Sequence, residues 1–138
     1  MADYTTELDC VRTFLLAVHT VSTTKHYPVE ASKLSGIVDA TMQRMLVYPP
    51  EIMVAYSSRV IKRYKVEIEE PSEAGLTTAI NNIQIGIEKC NRRTTIASWT
   101  KPATWCHVKI ANGSQVEAKS KSGIWQCSIW LDVERATA

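Results

Sequence analysis

The chain has 138 residues, a net charge of +2, 45% apolar residues and 22% charged residues, the mixture of a globular domain rather than a disordered tail. A chain of that length buries roughly two thirds of its unfolded surface, enough for one core, and no stretch approaches the ~20 apolar residues of a membrane helix. The charge is too small to imply nucleic acid by itself. Glycine and proline, five each, do not cluster into a linker, and no repeat is present, so residues 1–138 read as one domain. The start Met1-Ala2-Asp3-Tyr4 lacks a basic step followed by an apolar run, so a secretory signal is not expected and a cytosolic setting is.

Residues 3 to about 21 form a predicted helix, because Leu8, Val11, Leu15 and Val18 recur at steps of three and four. A polar loop follows at Ser22 to His26. Residues 29–46 carry Leu34, Ile37, Val38, Met42 and Met45 at approximately helical spacing, interrupted by Gly36; a weak helix and a loop with one helical turn both fit. Pro49-Pro50 ends that segment. Ile52 to Tyr56 is a short apolar run suited to a buried strand. From Arg59 to Glu70, Tyr64, Val66 and Ile68 alternate with Lys65, Glu67 and Glu69, so one face is buried and one wet; with Ser57-Ser58 near the turn, the two runs predict a hairpin.

Ser72 caps a second predicted helix, whose stripe is Leu76, Ile80, Ile83, Ile87 and Cys90. The remainder predicts a three-stranded meander: Trp105 to Ala111, a turn at Asn112-Gly113, Ser114 to Lys121 with Val116 and Ala118 inward, a turn at Ser122-Gly123, and Ile124 to Glu134. The last strand points Trp125, Cys127, Ile129, Leu131 and Val133 inward, and Gln126, Ser128, Trp130, Asp132 and Glu134 outward. It is expected to stabilise the sheet most. The order of elements predicts a two-layer α+β sandwich, with a mostly antiparallel sheet of four to five strands and two to three helices on one face.

Chemistry-bearing residues give little. The cysteines at 10, 90, 106 and 127 form no C-x-x-C, so reduced thiols are expected, three of them as small buried hydrophobes. Cys106 and His107, adjacent in a strand, point to opposite faces. His19, His26 and His107 share no metal spacing and read as surface or boundary residues. No glycine-rich phosphate loop and no G-x-S-x-G occurs. The expectation is therefore no enzyme, no cofactor and no metal. Arg59, Lys62, Arg63 and Lys65 are dense, and with Trp99 and Trp130 they form the candidate interface. Stacking and phosphate contacts would make that surface a nucleic-acid or host-interaction site, although Glu67, Glu69, Asp132 and Glu134 interleave with it. Trp130, on the polar face of the last strand, is either an interface residue or covered by a terminal segment or the Trp99 loop.

Tyr48-Pro49-Pro50-Glu51-Ile52-Met53-Val54 leading into an alternating strand, the helix at 75–90, and the closing run from Gly123-Ile124-Trp125 to Glu134 together resemble the tail terminator (tail-completion) proteins of tailed bacteriophages. In that family a proline precedes an apolar strand and a Gly-aromatic step opens a long closing strand. The resemblance implies a small α+β subunit of a homo-oligomeric ring, typically a hexamer, capping the tail tube and joining it to the neck. It implies no catalytic residues and no membrane partner, a cytoplasmic location during assembly and a place in the virion.

Overall fold

The computed structural model describes residues 7–19, 26–28, 44–55, 57–92, 95–96, 99–111, 119–121 and 124–136, with only the backbone at 26–28, 44, 119–121 and 124. Helix α1 (Glu7–Val18) lies within the first predicted helix; Cys10, Val11, Phe14 and Leu15 are its buried residues. Helix α2 (Glu73–Arg92) buries Leu76, Ala79, Ile83, Gly86, Ile87 and Cys90. Its first turn is capped as expected, with the Gly75 N–H donating to Ser72 Oγ at 3.0 Å.

The strands are β1 (His26–Pro28), β2 (Arg44–Val47), β3 (Glu51–Ala55), β4 (Arg59–Glu70), β5 (Thr95–Ile96), β6 (Trp99–Thr100), β7 (Trp105–Ile110), β8 (Lys119–Lys121) and β9 (Ile124–Ala136). The main sheet has seven strands: a path β1-β2-β4-β9-β7, with β3 beside β4 and β8 beside β9. Only β1–β2 is parallel within it; β5 and β6 form a separate pair. The fold is α+β, with both helices contributing to one hydrophobic core beneath the sheet. Where the sequence predicts four to five strands the sheet has seven: the expected ones are β3, β4, β7, β8 and β9, and β1 and β2 add to them.

Two long strands dominate. β4 and β9 pair in unbroken antiparallel register from Arg59↔Ala136 to Glu70↔Trp125. The period-two pattern puts Tyr64, Val66 and Ile68 beside Leu131, Ile129 and Cys127, all buried. Each large member of that layer contributes ~1.5–3 kcal/mol by burial. Phe14, Trp99 and Trp105 complete the core, with ring centroids 5.0 to 6.3 Å apart.

Three expectations need correction. The end of the weak-helix segment is strand: Met45 and Val47 alternate inward against Ile68 and Val66 in β2; positions 29–43 lie outside the described residues. The strand at 51–55 exists and forms the expected hairpin, but all five residues are exposed, because an apolar run does not reveal whether its strand lies in the core or at an edge. The C-terminal strands depart from the expected meander: the described part of β8 pairs with β9 as expected, but β7 pairs directly with β9 as well, whose other side is taken by β4. The long apolar strand β9 has neighbours on both sides, which keeps its apolar face within the core. The Asn112-Gly113 turn, Val116 and Ala118 lie outside the described residues.

Candidate interaction surface

Alternation along β4 and β9 places Arg59, Arg63 and Lys65 on the outer sheet face with Trp130, the register partner of Lys65. Each basic group there has an acidic neighbour. Arg59 Nη1 donates to Glu134 at 2.7 Å, Arg63 forks onto both Asp132 oxygens at 2.8 and 3.1 Å, and Lys65 Nζ lies 3.3 Å from Glu67. The hydrogen bonds raise the Arg59 and Arg63 pKa values above the ordinary guanidinium value. Lys65 also sits over the Tyr48 ring, 5.2 Å from its centroid.

Lys62 and Trp99 leave this surface. Lys62 has the opposite parity, pairs with Val133, and lies 3.7 Å from Glu7 on the helix side. There Glu7 also receives the Tyr64 hydroxyl and the Arg135 guanidinium, fastening the start of α1 to the sheet. Trp99 is buried between Phe14 and Trp105. It is a core residue and does not cover Trp130. Spacing gave no hint of this, since Trp99 stands in a stretch without periodicity.

The edges differ. β3 exposes Ile52 at 67%, Met53 at 40% and Val54 at 38%, and among the described residues no strand lies on its far side. Its register shifts between Ile52 and Val54, a bulge that bends an edge. At β7, Asn91 of α2 takes both main-chain groups of Val108: Nδ2 donates to the carbonyl at 2.8 Å and Oδ1 accepts from the N–H at 2.9 Å. A side-chain amide there stands in for a neighbouring strand.

One buried polar cluster was not anticipated. His19 is 6% exposed rather than a surface residue, and Glu70 is 1% exposed. His19 Nδ1 lies 3.1 Å from Asn82 Nδ2, and Nε2 lies 3.7 Å from Glu70 Oε2. Glu70 was legible, because the inward positions 64, 66 and 68 continue to 70. The cluster joins the ends of α1 and β4 to α2.

The thiols divide as their faces suggest. All four cysteines are free, with Cys10, Cys90 and Cys127 buried and Cys106 exposed. Burial, with Glu7 nearby, pushes the Cys10 thiol up to about 12; burial pushes Cys90 and Cys127 to about 11. Such thiols are inert rather than nucleophilic. Among the described residues no three His, Cys, Asp or Glu side chains gather as metal ligands, and no helix is long and apolar enough to cross a membrane. Comparison with protein-family models and with curated proteins gives no match.

Proposed function

We propose that the chain is a non-enzymatic assembly subunit that associates with copies of itself, of the kind that closes as a ring on a viral tail tube and meets the neck. The observation that carries this reading is the exposed apolar edge strand β3, with Ile52, Met53 and Val54 in succession. An edge of that composition favours association with another chain. The viral setting rests on the resemblance of the proline-strand and Gly-aromatic segments alone. Such a subunit is made in the cytoplasm and ends in the virion.

The second reading is nucleic-acid or host-factor binding through Arg59, Arg63, Lys65 and Trp130, which share one face. Their pairing with Glu134, Asp132 and Glu67 leaves that face alternating in sign, a poor phosphate track. Light scattering on the wild type and on Ile52→Lys/Val54→Lys, beside an oligonucleotide titration, tests the assignment. An oligomer that the double substitution dissociates fits assembly. A monomer that binds oligonucleotide with a steep salt slope rejects it.

A further inference from the structure

We infer that neighbouring copies meet heterologously, the β3 edge of one against the β7 edge of the next, with Glu51 of one copy facing Lys109 of the other. The inference rests on the assembly reading and specifies its contact.

One cross-strand rung carries the argument. Glu51 is the register partner of Arg63, Arg63 of Asp132, and Asp132 of Lys109. The rung therefore alternates in sign across the outer face, negative, positive, negative, positive. Opposite charges directly across a pair of strands attract, and like charges repel. The inner pair is closed by the Arg63–Asp132 fork. The outer members, Glu51 on β3 and Lys109 on β7, the edge strands at this level among the described residues, are both exposed. A second copy placed side by side continues the alternation, since its Lys109 arrives beside Glu51. Two β3 edges together bring no Lys109 to Glu51, and two β7 edges bring no Glu51 to Lys109.

The geometry agrees in three further respects. β3 and β7 lie at the same height on opposite edges, because both flank the Ile61–Arg63 and Asp132–Glu134 levels. β3 runs antiparallel to β4, β4 to β9 and β9 to β7, so adjacent copies keep antiparallel order at the junction. Each edge carries a bulge at that height, between Ile52 and Val54 and between Trp105 and His107; bulges bend and twist a sheet, the curvature a closed ring needs. Asn91 already occupies the main-chain groups of Val108. The junction is therefore made by side chains: Glu51 with Lys109, and Met53 and Val54 against the exposed His107 and Cys106.

Charge reversal tests this in the full chain. Light scattering over a concentration series is run on the wild type, Glu51→Lys, Lys109→Glu and the double reversal, with circular dichroism melts as the folding control. Each single reversal should weaken assembly about tenfold or more, and the double should restore it. Glu51→Gln and Lys109→Gln replace any reversal that shifts the melt, and each should weaken assembly less than the reversal does. An assembling wild type whose single variants match it overturns the contact while leaving assembly intact. Single variants that weaken assembly with no recovery in the double overturn the pairing. A wild type that stays monomeric removes the assembly reading and this contact together.

Discussion

At the level of single side chains, the tightest constraint is Gly86. A Cβ built there would collide with Val18 Cγ1 and lie 2.7 Å from its Cβ, so α1 and α2 touch where only glycine fits. Gly86→Ala gains about 1 kcal/mol of helix propensity but overpacks a contact that typically costs ~1–3 kcal/mol. We expect a net loss in chemical denaturation, recovered when Val18→Ala is added. The thiols give a second prediction. Ellman's reagent should titrate Cys106 quickly in the native protein and reach Cys10, Cys90 and Cys127 only on unfolding. Burial raises the folded thiol values above the ordinary 9.0, to about 11 for Cys90 and Cys127. The unfolded chain then loses those protons first. The stability they contribute is intact below pH 9.0 and falls as pH rises through about 11. A melting series across that window should flatten in Cys90→Ala.

Among the elements, β4 and β9 were legible because their alternation is strict and long, and α2 because its stripe is regular and capped. The placement of β7 was not, since neighbours in a sheet are chosen by burial over distances that local turn signals do not span. The Asn112-Gly113 signal predicted β7 against β8, whereas β7 pairs with β9; the described part of β8 pairs with β9 as expected. β2 was hidden because Met42 and Met45 fit a helical step as well as Met45 and Val47 fit a strand. Of the candidate surface, Trp130 followed from parity, whereas the basic residues were grouped by charge density, a grouping that parity supports only at 59, 63 and 65. Lys62 was misplaced by counting charge density instead of parity, and Trp99 had no pattern to place it. Asn91 shows how an edge is closed. Asn91→Ala leaves the Val108 N–H and C=O without their partner, at a cost of ~1–3 kcal/mol. That loss should appear as a lower denaturation midpoint and as faster hydrogen exchange at Val108.

For the molecule as a whole, the sheet divides two tryptophans between two tasks. Trp125 pairs with Glu70 and packs against the core, while Trp130 pairs with Lys65 on the outer face. Trp125→Ala should therefore lower folding stability, by less than the ~3–5 kcal/mol of a fully buried tryptophan, whereas Trp130→Ala, outside the core, should cost less. Equal losses of stability in both would contradict this assignment of the two faces. The most direct measurement is the molar mass of the wild-type chain across a dilution series at moderate salt. A discrete multiple of the 15.4 kDa subunit, dissociating on dilution and more readily at high salt, is the expected result. A mass of one subunit at every concentration would contradict it.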